Sequence, residues 1–361
     1  EGLRYATWGK AANADLPEWL DFKGAFLSDD ADGQDTELVF RACYEMSVAR
    51  FRGMGTAGGV EELIRRAIDF ACASTHQNIV DDATTLGSYW GGMWASGVGE
   101  TRAAEISAEV SRLRRHVMEL LHNTDPTTHP VRAATLTGTL AYLHLMPDWA
   151  KIEEQSGQPK HADVAADVGV PHNEFEVDAS SLPADVLVDL SAAMQYLDQL
   201  VDLLPTARAY SVRQLAQIFT MFVAQASDHP SYVKVRDALD TATATVQGDS
   251  AVAERCRDRA VAFVKADKPL EALTELHNAK INWYHGDTMY GAVSTVRFIA
   301  ALYSQLGLAY AAKMYACSAA MLALNSSDAE VKTHVPKALA EAANYSHRAG
   351  CWIDSARFSE V

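Results

Sequence analysis

The first residues in this sequence that could do chemistry are the aspartates of "SDDADGQDTE", at 28–37. Carboxylates that line one wall of a helix can jointly hold Mg²⁺ against a diphosphate. Gly33 interrupts the run, and Asp is common in loops and at helix N-termini. No second motif of this kind follows, so we interpret the stretch as a solvated acidic loop.

A second polar stretch, "HNTDPTTHP" at 122–130, contains His122, Asp125 and His129. These are metal-ligand types at short spacing, but the Pro and Thr residues around them are typical of a capped loop. The chain has neither the H-x-x-x-H spacing on a helix nor the H-E-x-x-H motif of zinc hydrolases. We therefore predict no metal site, no catalytic residues and no cofactor.

Aromatic residues gather in "SYWGGMWASG", at 88–97, where Tyr89, Trp90 and Trp94 flank two adjacent glycines. Glycine allows a ligand or a second backbone to approach closely, and aromatic rings make stacking platforms. The stretch is therefore a candidate aromatic pocket. The other interpretation is the end of a core helix or a tight turn.

The elements that position these residues are helices. Almost every periodic segment has helical spacing, and alternating strand patterns bounded by hairpin turns are absent, which predicts an all-α fold. Segments 58–75 and 101–122 are the clearest helices. Their predicted buried stripes are Leu63, Ile64, Ile68 and Ala71, and Ile106, Val110, Leu113, Val117 and Leu120.

The positions of loop-forming residues along the chain suggest three regions. Residues 155–182 are rich in Gly, Pro and acidic residues, which predicts a long loop or linker. We predict an N-terminal helical region at 1–154, the linker at 155–182, and helix pairs joined by brief turns at 183–361. The N-terminal region either continues the repeats irregularly or forms a separate bundle.

A repeat is visible in the C-terminal region. Two windows superpose without gaps at an offset of 40 residues, from 272 to 312, and a third matches with one extra turn residue. The matched pairs are Ala260 with Ala300, Phe263 with Tyr303, Asp267 with Gly307, Ala272 with Ala312, and Ala279 with Ala319. Small residues at fixed positions predict close packing between helices, with Phe263 and Tyr303 filling the holes they leave.

This pattern resembles the tetratricopeptide repeat over roughly 250–361. The residues that carry the resemblance most completely are Ile299, Ala300, Tyr303, Gly307, Ala312 and Ala319. The chain departs from the family at Ala316, where a large residue is usual, and in its spacing of 40–44 residues instead of 34. The resemblance implies an α-solenoid of stacked antiparallel helix pairs.

The resemblance also implies a concave groove lined by the first helix of each repeat. The groove positions that carry basic or amide side chains are Arg257, Lys265, Arg297, Gln305 and Arg348. Arginine forks suit carboxylates and phosphates, so the groove would take an acidic peptide, a C-terminal carboxylate or a nucleotide-like anion. The alternative is an ordinary solvated helix face.

Bulk properties limit the partners. The 361 residues have a formal net charge of −16, which disfavours nucleic acid. The longest apolar run, at 296–324, contains Arg297 and Lys313, so we expect no membrane span. Five scattered cysteines without a C-x-x-C motif favour a reducing compartment, hence a cytoplasmic protein. The chain begins at Glu1 instead of Met and could be a piece of a longer protein.

These observations favour a non-catalytic recognition or scaffold module, the sensor part of a larger bacterial protein, that binds a protein or peptide in a concave groove. Two alternatives stay open. One is a receptor for a small anionic ligand. The other is a helical enzyme acting on an anionic substrate, which would require residues such as Asp29, Asp30 and His76 to converge. The sequence does not determine the oligomeric state.

Overall fold

The computed structural model describes residues 36–53, 60–97, 101–156, 188–286 and 288–360. These residues form helices joined by short turns, with no strand among them, so the all-α prediction is confirmed. The acidic stretch, apart from its last two residues, and the predicted linker after Ser156 lie outside the described residues. The chain divides into two units, Glu1–Tyr210 and Ser211–Val361.

The first unit contains seven helices among the residues that the structure describes. They are α1 Thr36–Gly53, α2 Val60–Ala73, α3 Gln77–Ala95, α4 Ala103–His122, α5 Pro130–His144, α6 Trp149–Ser156 and α7 Leu190–Leu203. The stripes predicted for α2 and α4 are buried, as expected. Helix α5 is buried over the whole of 133–143, so it forms the centre of this unit.

The second unit contains a run of helical hairpins. Its described helices are α8 Arg213–Met221, α9 Val223–Ala226, α10 Tyr232–Gln247, α11 Asp249–Lys265, α12 Pro269–His285, α13 Met289–Gln305, α14 Ala309–Asn325, α15 Ala329–Lys332, α16 Val335–Arg348 and α17 Trp352–Ser359. The hairpins α11–α12, α13–α14 and α16–α17 correspond to the three windows of the sequence repeat. Helix α12 also packs on α13, and α14 packs on α16, which stacks the hairpins.

The three hairpins share one turn. The second residue after each first helix has a positive φ, 56° at Asp267, 78° at Gly307 and 75° at Gly350. The next N–H donates back five residues to a helix carbonyl at 2.8 or 2.9 Å, which is the Schellman closure of a helix C-terminus. Glycine adopts this left-handed conformation without a Cβ clash, and Asp tolerates it. The alignment of Asp267 with Gly307 therefore reflects the same turn geometry.

Polar contacts recur at the same sequence separation in both units. Side-chain hydrogen bonds join residues 39 to 44 apart, and each links a helix, or the turn beside it, to the second or third helix along the chain. The pairs are Arg41–Asp82, Arg65–Glu105, Asp69–Arg112 and Ser107–Asp148 in the first unit, and Asp228–Lys268, Arg236–Glu275, Arg297–Glu341 and Lys313–Asp354 in the second. One hairpin with its turns is about 40 residues long. The contacts between the N-terminal helices therefore show the same period as the C-terminal repeat.

Helix α14 packs through its small residues. Ala312, Ala316, Ala319, Ala320 and Ala323 are all buried, and their helix lies against α13 and α16. Small side chains bring helix axes close together, so the alanine-rich face is a packing surface, as expected. No helix in the described ranges is long and apolar enough to cross a membrane.

Candidate functional site

Arg297, one of the predicted groove residues, is bound within the stack. Its guanidinium makes a forked ion pair with Glu341 of α16, at 2.9 Å from Nε and 2.6 Å from Nη2. Its Nη1 donates to His334 Nδ1 at 2.9 Å. The Glu341 hydrogen bonds raise the pKa of Arg297, while burial and Arg297 lower the pKa of His334. A neutral His334 suits this arrangement, because Nδ1 must accept the proton that arginine donates. Arg297 therefore joins two hairpins.

The other predicted groove residues differ in their surroundings. Arg348 donates to the hydroxyl and the carbonyl oxygen of Ser304, again joining neighbouring hairpins. Arg257 and Lys265 are exposed on α11, and Gln305 is exposed at the end of α13. Acidic side chains share this surface, since Glu254 and Asp258 are exposed beside Arg257. The five residues therefore do not form one uncompensated basic cluster.

The aromatic residues predicted as a pocket lie in the C-terminal half of α3. Trp90 is fully buried and Trp94 nearly so, and the ring centroids of Trp94 and Trp149 are 6.2 Å apart. The Trp149 indole covers Gly91 so closely that a Cβ on Gly91 would lie 2.0 Å from it. Tyr89 is half-buried. The paired glycines thus make room for a tryptophan of the same unit, and these rings pack as a core.

The candidate metal and catalytic residues do not converge in the part of the chain that the structure describes. No group of three or more His, Cys, Asp or Glu side chains there could hold a metal ion. Asp125 instead accepts hydrogen bonds from Thr127 and Thr128, which lower its pKa, and His129 is exposed. His76 is exposed before α3, and Asp29 and Asp30 lie outside the described residues.

Sequence reasoning missed a buried charge network in the first hairpin of the second unit. Arg259 of α11 is 3% exposed and forks onto Asp240 of α10 at 2.9 and 2.6 Å. It also donates to Glu275 of α12 at 2.9 Å, and Arg236 approaches the same carboxylate at 3.3 Å. These carboxylates raise the pKa of Arg259. One feature of the sequence indicates a buried charge at this position. Arg259 aligns with Ile299 in the repeat, so an arginine occupies a position that is apolar in the next hairpin.

The second helices of the hairpins expose large apolar side chains. We call these nine residues the apolar face, and their exposed fractions run from 42% to 71%. They are Leu270, Ile281 and Tyr284 of α12, Tyr310, Met314, Met321 and Leu324 of α14, and Trp352 and Ile353 of α17. Scattered exposed apolar residues are ordinary, but a set on successive helices is typical of an interaction surface.

The apolar face follows the repeat. Leu270, Tyr310 and Ile353 each lie three residues after the positive-φ residue of their hairpin turn, and each is at least 64% exposed. Ile281 and Met321 also occupy equivalent positions, as do Tyr284 and Leu324, at the offset of 40 residues. Neighbouring second helices touch, because His277 of α12 packs edge-on against Tyr315 of α14 with centroids 5.7 Å apart. The exposed side chains therefore recur on one side of adjacent helices.

The face is nearly free of charge on α14. Lys313 is the only charged residue in this 17-residue helix, and it is bound to Asp354 of α17. The Asp354 hydrogen bond raises the pKa of Lys313, and Lys313 lowers the pKa of Asp354. An uncharged surface on a chain of net charge −16 is suited to contact with another apolar surface.

Comparisons with known proteins add little. No protein-family model matches the chain, and neither does any curated protein. Among solved structures, the chain is 13% identical to BtubC (BKLC) from P. vanneervenii, with a TM-score of 0.33, over 72% of this chain and 89% of that one. It is also 13% identical to a circular tandem repeat protein with a novel repeat topology, with a TM-score of 0.28, over 98% of this chain and 85% of that one. Likenesses at this level carry no inference about function.

Proposed function

We propose that this chain is a non-catalytic protein-recognition module built from tetratricopeptide-like repeats, and that its partner binds the apolar face. The observation that carries the proposal is the recurrence of large exposed apolar residues at equivalent repeat positions, and the central helix α14 at the same time buries its small residues. Stacked repeats that display one side chain type along a surface are typical of binding solenoids. The fold contributes a display surface, and the chemistry of that surface selects the partner.

The partner segment would be an amphipathic helix. Along α14 the exposed residues Tyr310, Met314 and Met321 are spaced by four and seven residues, which follows one side of a helix. Such a row accepts apolar residues that recur at intervals of three and four on a second helix. Shape and apolar contact would dominate recognition, because α14 has no unpaired charge.

The predicted acidic partner in a basic groove is less well supported. Arg297 and Arg348 would have to leave Glu341 and Ser304 before they could bind an anion. Giving up a partly buried forked ion pair costs more than a contact at an exposed rim returns. The receptor for a small anionic ligand depends on the same residues and has the same difficulty. Five free cysteines agree with a cytoplasmic location.

The test is site-specific photo-crosslinking in the source cells. A photoreactive aromatic amino acid replaces Leu270 or Met321 on the apolar face, or Arg257 as the groove position; Asn344, exposed on α16, is the neutral control. We expect adducts from 270 and 321 and few from 257 or 344, with the linkage in the partner mapped to a helix by mass spectrometry. Adducts that form mainly from Arg257 would favour the groove, and a lack of adducts at 270 and 321 would overturn the proposal.

A further inference from the structure

We propose that the partner at the centre of the apolar face is a second copy of this chain, with α14 packed antiparallel against α14 of the other copy. The inference rests on the proposed function, since it names an occupant for the same face. It makes the module a homodimer whose two-fold axis passes beside Cys317. The flanking residues on α12 and α17 would extend the contact.

The first argument is spacing. Tyr310, Met314, Cys317, Met321 and Leu324 are separated by intervals of 4, 3, 4 and 3 residues. This is the heptad spacing of a helix that packs along its length against another helix. Four of the five side chains are large and exposed, and Cys317 at the centre is half-buried. The row therefore has the spacing of a two-helix seam, whose central Cys317 also packs on the buried cluster that contains Ala316 and Tyr345.

The second argument is symmetry. A two-fold dimer uses the same patch on both copies, so the patch must match itself when it is reversed. The point midway between Cys317 and Ser318 divides the row almost evenly, with Met314 and Met321 equally far from it. In an antiparallel pair each Met314 meets Met321 of the other copy, and the small residues Cys317 and Ser318 meet at the axis. Small central residues allow the close approach of about 8 Å between helix axes.

The third argument is charge and area. Two chains of net charge −16 repel each other, and this repulsion is least where no carboxylate is brought against another. The only charge on α14 is neutralised by Asp354.

The nine side chains of the apolar face each expose on the order of 100 Å², so the face offers about 900 Å². Standard interfaces bury roughly 800 Å² on each partner.

The decisive experiment is a charge-reversal series read by sedimentation equilibrium. Met314→Glu and Met321→Lys are made separately and together, with Met314→Glu/Met321→Glu as the repulsive pair. Val246→Glu is the matched control, because Val246 is exposed on α10 and lies outside the face. We expect a dimer for the wild type and for Val246→Glu, and at least a tenfold weaker dimer for Met314→Glu. The Glu/Lys combination should recover most of this loss, because residue 314 faces residue 321 only in the antiparallel pair, and the Glu/Glu combination should not.

Crosslinking supplies a second readout that does not depend on the charge variants. In a chain whose other four cysteines are replaced by Ser, a short bifunctional maleimide should join two copies through Cys317, whereas the variant that keeps only Cys351 should stay uncoupled. Burial raises the pKa of the Cys317 thiol, so the reaction is run at mildly alkaline pH. A wild type that is monomeric at all concentrations overturns the dimer. A dimer that persists in Met314→Glu/Met321→Glu overturns it as well. A monomer that still forms heterologous adducts at Met321 leaves the proposed function in place.

Discussion

Helices α5 and α14 are similar in length and almost equally poor in charge, yet they place their large apolar side chains differently. Helix α5 is enclosed from 133 to 143, with its large residues inside the first unit. Helix α14 buries alanines and turns Tyr310, Met314, Met321 and Leu324 outward. The comparison shows that apolar composition alone does not identify a core helix.

The difference follows from what each helix must contact. A central helix is surrounded by neighbours, so large side chains can fill space on every side. A helix in a stack of hairpins is pressed between neighbours on one side only, and small residues there set a short distance between axes. Large residues on its free side are 47% to 64% exposed, so they add little to the packing of their own repeat. Their recurrence in three successive hairpins is the reason to propose that this side is functional.

The largest expected loss of stability comes from replacing a buried charged residue. Neither α5 nor α14 buries one, but α11 buries Arg259. Arg259→Met should lower the free energy of unfolding by about 3 kcal/mol or more, because Asp240 loses its forked partner and Glu275 loses one of its two arginines. Urea unfolding followed by circular dichroism measures this effect. Arg257→Met, an exposed neighbour on the same helix, is the control and should change stability by less than about 0.5 kcal/mol. Equal effects of the two variants would contradict the role of the network.

The second expected effect is a pH dependence located beside α5. Asp81 of α3 accepts a hydrogen bond from Thr139 of α5 at 2.7 Å, and burial raises its pKa to about 6. The folded state therefore prefers the neutral acid. Its contribution is greatest at low pH and is lost as the pH rises from about 4 to about 6, by about 3 kcal/mol in total. Asp81→Asn should remove that slope.

The measurement is the free energy of unfolding at intervals between pH 4 and 7.5 for wild type and variant. Asp82, whose pKa is also raised by burial and which pairs with Arg41, is present in both chains, so its effect cancels in the difference. Thr139→Ser keeps the donating hydroxyl and should reproduce the wild-type profile. Parallel curves for wild type and Asp81→Asn would show that Asp81 is not neutral in the folded chain.

Much of the fold follows from local pattern. The helical stripe of α2 and the 40-residue offset between Ala272 and Ala312 are properties of nearby residues, and local spacing determines which side of a helix is buried. The same period in the N-terminal helices was not recognisable. There it is expressed as contacts such as Arg65 with Glu105, whose residue types differ from one repeat to the next.

The candidate site was less accessible to sequence reasoning, because a residue's partner decides its role. Arg297 has the type and the spacing of an anion ligand, but Glu341 lies 44 residues away and occupies its guanidinium. Trp90 has the type of a stacking platform, but it is fully buried. The row on α14 was readable as intervals of three and four. Because α14 is almost uncharged all round, the sequence does not show that the alanines are on the buried side and the large residues on the exposed side.

A smaller effect compares the two sides of α14 directly. Ala316 is fully buried, and Ser318, two residues later, is exposed. Ala316→Leu should destabilise the chain by about 2 kcal/mol, because the added side chain forces the neighbouring helices apart, whereas Ser318→Leu should change stability little. Thermal unfolding of both variants, made at low protein concentration, tests this. A tolerated leucine at 316 would mean that the alanine side of α14 is not closely packed.

The smallest expected effect on stability is that of Met321→Ser. This variant distinguishes a contribution of Met321 to packing within its own repeat from a contribution to association between copies. At high dilution, where copies do not associate, the variant should unfold within about 0.5 kcal/mol of the wild type, because Met321 is 57% exposed. As protein concentration rises, the wild type should gain stability through association and the variant should gain less, since only the folded chain dimerises. Melting temperatures measured over a hundredfold range of concentration give both values. A stability difference that is large at high dilution would place Met321 in the core of its own repeat, and one that stays small at every concentration would remove Met321 from the interface.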